Sequence, residues 1–250
     1  MSRRAAVAAA LAAAILAPAA PAPAQERAAV DPRIAAVIRS LETELRERHS
    51  ARALRLARQG IENLLASGPA TADGPAIARL LYYQAVAAAD RGLADTAAWS
   101  WSLALSLDPE LAGENLGRWG AAGTFLAARP ARPPVRDGDV VPEGERDRPG
   151  RLNLFTAPAG VTTRLPEEND TPPPPYPPAL RGSGLGGTVL LQVRIDRRGG
   201  PNEPVVLESP HPILSLAAAE AVSAWRYRPA AVDGDTVGVY YTVRIDFRAE

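Results

Sequence analysis

The side chains that most often carry out catalysis are scarce in this 250-residue chain. It contains no cysteine and only two histidines, His49 and His211. Thiolate nucleophiles, disulfides, zinc knuckles and iron–sulfur clusters are therefore excluded. His49 falls near the end of a helical pattern, and His211 stands between two prolines, so both are expected to be structural or solvated. The acidic residues are scattered and do not pair in a setting that would tune a catalytic pKa. We therefore expect a protein that is not an enzyme, with no catalytic residue, metal site or cofactor.

Two further kinds of site are excluded by pattern and charge. Residues 182–187 are rich in glycine, like a phosphate-binding loop, but they precede a strand pattern, whereas phosphate is held at the N-terminus of a following helix. The chain carries 28 basic and 28 acidic residues, so its formal net charge is zero. Nucleic-acid binding requires a basic surplus. We therefore expect no nucleic-acid partner.

The N-terminal residues predict export from the cytoplasm. Arg3 and Arg4 precede an apolar run, and Ala22 and Ala24 give a small-residue cleavage pattern before Gln25. The apolar run is shorter than the roughly 20 residues needed to cross a bilayer. Residues 1–24 are therefore predicted to be a cleaved signal peptide, which implies the periplasm. The alternative is an uncleaved anchor that holds the protein at the periplasmic side of the inner membrane, and only this alternative implies membrane contact.

Residues 25–128 are predicted to form an all-α domain of helical hairpins. The first helix begins at Asp31-Pro32, with Asp31 as N-cap. Ser50 is expected to cap a second helix, which ends before Gly68. A third helix is predicted over residues 75–90 and a fourth over residues 94–107.

The third and fourth helices together are similar to one tetratricopeptide repeat. Small or large apolar residues, a turn glycine and a terminating proline fall at the spacing of that repeat: Leu81, Ala85, Ala88, Gly92, Ala97, Trp101, Ala104 and Pro109. A plain pair of helical hairpins remains the alternative. In both cases the region is predicted to act as a scaffold or to bind a partner. Tyr82, Tyr83 and Trp99 could lie on its exposed face, but aromatic residues at helical spacing more often belong to a core.

The remaining residues are predicted to form a linker and a small α+β domain. Residues 129–170 are rich in proline, arginine and acids, which is typical of an extended, solvated linker. In residues 171–250, apolar residues alternate along residues 189–195 and 237–247, with a shorter strand at 203–208 and a helix at 213–224. This order predicts a small antiparallel sheet with one covering helix. The overall fold class is therefore α+β.

An ordered set of short motifs in residues 171–250 carries a family resemblance. It consists of Tyr176-Pro177, Gly187-Thr188-Val189, Ile195-Asp196 with Gly199-Gly200, Glu208-Ser209-Pro210, the helical residues 216–222, Trp225-Arg226-Tyr227-Arg228-Pro229, and residues 243–247. In order and spacing this set resembles the TonB C-terminal domain family, the energy transducer TonB-like proteins. The sequence departs from the pattern at Pro201 and Pro204 in the second strand and at Ala217-Ala218 in the helix.

The resemblance implies a binding function. In this family a peptide of an outer-membrane transporter adds as a strand along the last strand of the domain. The corresponding peptide-binding residues here are Val239, Tyr240, Tyr241, Thr242, Val243, Arg244 and Ile245, with Tyr240, Thr242 and Arg244 facing outward. Alternatively, this last strand is a structural edge strand that Arg244 and Arg248 protect from aggregation.

The predicted function is thus that of a periplasmic TonB-like protein linked to TonB-dependent transport. Its partners would be peptides of outer-membrane receptors or of other envelope proteins. Tyr176 and Pro177 are predicted to contact the partner, or alternatively to anchor the linker. The alternative function is a periplasmic structural or assembly adaptor, which binds partners through its tetratricopeptide-like helices and forms a homodimer through its C-terminal sheet.

Overall fold

The computed structural model describes residues 31–69, 71–141 and 152–250. Helices occupy the first half of the described chain and an antiparallel sheet occupies the second, which confirms the α+β class. The predicted signal peptide lies outside the described residues. None of the described helices is long and apolar enough to cross a membrane.

Five α-helices form the first half of the fold. They are α1 (Pro32–Arg46), α2 (Ser50–Ser67), α3 (Gly74–Asp90), α4 (Ala94–Leu107) and α5 (Gly120–Ala127), and two 3₁₀ turns, Pro109–Gly113 and Leu116–Trp119, lead from α4 to α5. The predicted cap of α1 is confirmed, because the Asp31 carboxylate accepts a hydrogen bond of 2.8 Å from the Arg33 amide. The predicted cap of α2 is wrong. Ser50 is the first residue of that helix, and its hydroxyl instead donates to the Asp90 carboxylate at the end of α3.

Helix α3 lies at the centre of the helical region and packs against α1, α2, α4 and α5. Its sides are therefore covered, and Tyr82 and Tyr83 are almost completely buried. Of the two positions left open for these tyrosines, the structure has them in the core, because the Leu116–Trp119 turn and α5 pack over them. The indole of Trp119 donates to the Tyr82 hydroxyl and meets the Tyr83 ring edge-on. Trp99, in contrast, is half-buried.

The second half of the fold contains one α-helix and most of the strands. The strands are β1 (Val140–Val141), β2 (Thr163–Arg164), β3 (Glu167–Asp170), β4 (Gly187–Ile195), β5 (Pro201–Glu208), β6 (Arg226–Arg228), β7 (Ala230–Val232) and β8 (Asp235–Phe247), and helix α6 spans Pro212–Ala224. The main sheet has the order β2-β7-β8-β4-β5, and β1 also pairs with β8; β3 and β6 form a separate pair.

The long strands β4 and β8 form the middle of this sheet. They pair antiparallel without a bulge, from Gly187 opposite Phe247 to Ile195 opposite Val239. One face of the pair is apolar and lies under α6. The buried residues of this face are Val189, Leu191, Val193, Ile195, Val239, Val243, Ile245 and Phe247. The predicted covering helix and the alternation of both strands are therefore present.

The prediction of a solvated linker is wrong for its described residues, 129–141 and 152–170. Three strands come from this segment: β1 pairs with β8, β2 with β7 and β3 with β6. The composition favours an extended chain, and an extended chain can pair with the open backbone groups at a sheet edge. The proline-rich segment thus belongs to the folded structure at these positions.

The helical region packs directly against the sheet through α4, which lies along β5. The Ser102 hydroxyl donates 3.0 Å to the carbonyl of Pro204, and the Val206 amide donates 2.8 Å to the Ser106 hydroxyl. Two serines one helical turn apart therefore satisfy outward backbone groups of β5. The helices and the sheet share one hydrophobic core.

Candidate peptide-binding edge

The backbone of β8 has one side that faces β4 and one that faces away from it. In an antiparallel strand, alternate residues direct their N–H and C=O groups to the same side. The Tyr240 amide and carbonyl bond to residues 138–139 rather than to β4, so Gly238, Thr242, Arg244 and Asp246 also direct their backbone groups away from β4. This outer side is the edge at which an added strand would bind.

The first part of the outer edge is already occupied by the chain itself. Residues 235–237 of β8 pair with β7, and Gly238 and Val239 pair with Val141 and Val140. The Gly138 amide donates 2.8 Å to the Tyr240 carbonyl, and the Tyr240 amide donates 3.1 Å to the Asp139 carbonyl. We call residues 137–141 the internal strand.

The internal strand ends at a carboxylate that binds the next outward position of β8. Asp137 accepts hydrogen bonds from the Thr242 hydroxyl at 2.7 Å and from the Thr242 amide at 3.2 Å. The side-chain amide of Gln192, on β4, donates 3.0 Å to the same carboxylate. Gln192 also donates 2.6 Å to the Val135 carbonyl and accepts 2.9 Å from the Val135 amide. Gln192 and Thr242 therefore hold both the Asp137 side chain and the Val135 main chain in place.

The outer edge is open beyond Thr242. Among the described residues, no strand pairs with the outward groups of Arg244 and Asp246. Their side chains bond to each other at 3.2 Å, and the Thr188 hydroxyl donates to Asp246. The hydrogen bond from Arg244 is the main cause that lowers the pKa of Asp246, so this carboxylate remains charged at neutral pH. Both side chains are well exposed.

The predicted outward residues differ in their environments. Arg244 is exposed, and Thr242 is half-buried. Tyr240 is completely buried, which contradicts its predicted outward position. The face of the sheet opposite α6 is covered here by the segment before the internal strand, and the Arg132 guanidinium lies 4.5 Å from the Tyr240 ring centroid. Tyr241 faces the α6 side, where its ring meets that of Tyr227.

Tyr176 and Pro177 are buried rather than displayed to a partner. The Tyr176 hydroxyl lies within hydrogen-bonding distance of two carbonyls, at 3.0 Å from Leu180 and 2.6 Å from Leu185. These contacts stabilise the turn before β4. In this conformation the geometry agrees with the alternative role, that of an anchor. A direct contact between these two residues and a partner remains a prediction.

An aromatic cluster beside the edge was not anticipated from the sequence. The Trp225 indole donates 2.9 Å to the Pro172 carbonyl, and the rings of Trp225, Tyr227 and Tyr241 follow one another at 6.4 and 6.2 Å. Burial is the main cause that raises the pKa of Tyr227, with the charge of Glu168 adding to it. The cluster holds the four prolines at 172–175 against the sheet. The sequence feature that could have indicated this cluster is the motif Trp225-Arg226-Tyr227-Arg228-Pro229.

Comparison with protein families assigns the C-terminal domain. Residues 172–249 match the family model of the Gram-negative bacterial TonB protein C-terminal. The match covers less than a third of the chain, and it includes α6 and strands β4 to β8. The resemblance inferred from the motifs is thereby confirmed, and residues 172–249 form a TonB C-terminal domain.

This assignment supports a TonB-like protein in envelope transport, and the domain family is one of protein interaction rather than of enzymes. The family also indicates a periplasmic, envelope-associated protein. No curated protein matches the chain.

Proposed function

We propose that this protein binds extended peptides of outer-membrane transporters, or of other envelope proteins, by adding them as a strand to the outer edge of β8. The observation that carries the proposal is the outer edge itself. β8 is held along nine residue pairs by β4, while the outward backbone groups of Arg244 and Asp246 have no strand partner among the described residues. A rigid strand with open amides and carbonyls is the element that strand addition requires.

The side chains around this edge support selectivity as well as affinity. Arg244 and Asp246 bring opposite charges to the open half, and Thr242 offers a hydroxyl at the centre of the edge. Main-chain bonds give a strand complex its affinity, and side chains beside the edge select the sequence. The predicted stretch from Val239 to Ile245 is therefore retained as the proposed binding site.

The test uses the full chain and labelled peptides from the periplasmic segments of outer-membrane transporters. Binding is measured by fluorescence anisotropy. Each binding peptide is then remade with one backbone N-methyl group at successive positions. Strand addition uses the amides of alternate residues only, so methylation at one parity should abolish binding and methylation at the other should leave it nearly unchanged. Equal losses at both parities, or no binding by any peptide, would contradict the proposal.

The alternative adaptor function is tested in the same experiment by sedimentation of the full chain. If the open half of β8 pairs with a second copy, the protein dimerises as its concentration rises and transporter peptides leave the dimer intact. Dissociation of such a dimer by the peptides would instead support peptide binding at β8.

Export and anchoring are a second part of the proposal. We propose that residues 1–24 are removed and that the protein acts in the periplasm, where it binds a transporter without transmitting force from the inner membrane. N-terminal sequencing of the protein from fractionated cells tests this. A first residue of Gln25 supports the proposal, while a first residue of Met1 in the membrane fraction supports the anchored alternative.

A further inference from the structure

The internal strand lies where the first half of the proposed ligand would bind. Residues 137–141 face Gly238 to Thr242 of β8 in antiparallel orientation. Val141 and Val140 pair with Gly238 and Val239, the Tyr240 amide and carbonyl bond to residues 138–139, and the Asp137 carboxylate accepts from the amide of Thr242. Only the part of the edge beyond Thr242 is left open, so a peptide that needs the whole predicted stretch must compete with residues 137–141.

The contacts of the internal strand define the chemistry that this edge accepts. Three neutral donors converge on one carboxylate: the Thr242 hydroxyl, the Thr242 amide and the Gln192 amide. Gln192 is almost completely buried, so loss of this acceptor would leave a buried donor short of a partner, which is costly. At the other end, Val140 and Val141 are buried against the edge. An acidic side chain followed by two β-branched residues therefore fits these positions.

The internal strand is held mainly by hydrogen bonds, from β8 on one side and from residues 152–154 on the other, and of its residues only Val140 belongs to the hydrophobic core. This limited core contact suits a segment that can be displaced. β1 is only two residues long. The Asn153 side chain brackets it, donating 2.8 Å to the Asp139 carboxylate and 2.7 Å to the Asp137 carbonyl. Gly138 has a φ of +81°, and a Cβ at this position would lie 2.4 Å from the Phe155 ring, so the turn here requires glycine.

We propose that residues 137–141 are an internal ligand of β8. The external partner that replaces them is an extended peptide with an acidic side chain at the position of Asp137 and β-branched residues at the positions of Val140 and Val141. This inference rests on the proposed function and adds to it a partner class and a competition. Because the internal strand is tethered to β8, its effective concentration at the edge is high. An external peptide that makes equally strong contacts therefore binds weakly while the internal strand is in place.

The probe is a fluorescent peptide with the sequence of residues 135–141, titrated into the full chain. The wild type is compared with Asp137→Ala, which removes three hydrogen bonds from the internal strand and leaves their donors on β8 and β4 intact. We expect Asp137→Ala to bind the probe at least about tenfold more tightly than the wild type does. A probe whose first aspartate is replaced by alanine should lose this gain. The matched control is Asp235→Ala, which removes an exposed acid from β8 itself and should bind like the wild type.

Hydrogen exchange gives a second readout that does not depend on the probe. The amides of Tyr240 and Thr242 donate to the internal strand, so they should exchange faster in Asp137→Ala and return to slow exchange when the probe is added. If Asp137→Ala does not fold by circular dichroism, Asp137→Asn is used, because it keeps one acceptor and should give an intermediate gain.

The possible outcomes separate this inference from the proposed function. Equal binding of the probe to wild type and Asp137→Ala, with unchanged exchange at Tyr240 and Thr242, would overturn the internal ligand; transporter peptides could still bind the open half. Tighter binding of the probe to Asp137→Ala, with no binding of transporter peptides to either protein, would support the internal ligand and refute the proposed partner.

Discussion

The two long sides of the C-terminal sheet are closed in different ways. The outer side of β5 is covered by α4, whose serines bond to Pro204 and Val206 while its other residues enter the shared core. The outer side of β8 is covered only in part, by the two-residue strand β1 and by the hydrogen bonds between Asp137 and Thr242. The closure by α4 is built into the hydrophobic core, whereas residues 137–141 contribute only Val140 to that core and are otherwise held by hydrogen bonds.

Under the proposed function, the two edges would have separate tasks. Unpaired strand edges invite unwanted association, and proteins protect them with helices, short strands or charges. The β5 edge is protected by a helix and belongs to the stable part of the fold. The β8 edge combines a short strand with the exposed Arg244 and Asp246, which keeps it soluble and still open to a partner. Binding elements are generally drawn from such locally less stable parts of a fold.

The largest expected effect comes from breaking the core that supports α4. Trp101 is 2% exposed, and its indole donates 2.8 Å to the Arg129 carbonyl. Trp101→Ala should lower the free energy of unfolding by about 3–5 kcal/mol, since it removes a large buried side chain. Urea denaturation measures this, with Trp101→Phe as the milder control. A loss below about 1 kcal/mol would show that α4 is not held in the core as described.

Removal of the two serines tests the β5 edge itself. The double variant Ser102→Ala/Ser106→Ala leaves the Pro204 carbonyl and the Val206 amide without their partners, and it should cost about 2 kcal/mol in unfolding free energy. Ser40→Ala is the matched control, because this exposed helical serine bonds only to its own helix; its effect should stay within about 0.5 kcal/mol. Equal effects of the two variants would mean that the β5 edge does not depend on α4.

A smaller global effect is expected at the β8 edge. Asp137→Ala should lower the unfolding free energy by about 1.5 kcal/mol, because residues 137–141 can detach and let water reach the donors that lose the carboxylate. Hydrogen exchange of the full chain should then show faster exchange at Tyr240 and Thr242 and unchanged exchange at Val206, whose amide is held by α4. Faster exchange at all three amides would mean that the two edges open together, and the contrast between them would be lost.

The smallest expected effect concerns Glu220 on α6, which faces Arg58 and Glu62 of α2. Glu220 lines an open cleft with Arg58 and Glu62 and keeps an exposed surface. Partial desolvation in this cleft is the main cause that raises the pKa of Glu220, opposed by Arg58 and reinforced by Glu62. A carboxyl whose pKa is higher in the folded state favours folding when protonated, and this stabilisation is lost as the pH rises through the folded-state pKa.

Glu220→Gln should therefore raise the thermal midpoint at pH 7, and its advantage should shrink as the pH falls below 4.5, the ordinary pKa of a glutamate side chain. Differential scanning calorimetry of both proteins at pH 7 and below pH 4.5 measures this difference in thermal midpoint. Glu208→Gln, at the exposed end of β5, is the control and should show a smaller pH-dependent difference. A constant gain at every pH would exclude titration of Glu220 as the cause.

Much of the local structure could be predicted because it depends on neighbours in the sequence. The alternation in β4 and β8, the Asp31-Pro32 start of α1 and the proline and glycine stops of α2 to α4 each give a short-range pattern. The structure contains these elements within a few residues of the predicted limits. Helix α5 was missed because its residues, rich in glycine and alanine, have no amphipathic period.

The candidate site was predicted less completely than the fold. The alternation in β8 places Tyr240 and Thr242 on the same face, but it does not reveal what covers them. Tyr240 is buried because Arg132 lies over its ring, and Thr242 is engaged because Asp137, distant in sequence, reaches its hydroxyl. No pattern in residues 129–141 predicts these contacts, since high proline and charge content favours a solvated chain.

The sequence alone therefore determined α1 to α4 and α6, the strands β4, β5 and β8, and the TonB-like motif order, because periodicity and turn residues act over short distances. The tertiary structure decided which edges of the sheet are available. Edge closure depends on distant segments, α4 for β5 and residues 137–141 for β8, and their pairing follows from the need of outward backbone groups for partners once the sheet has formed.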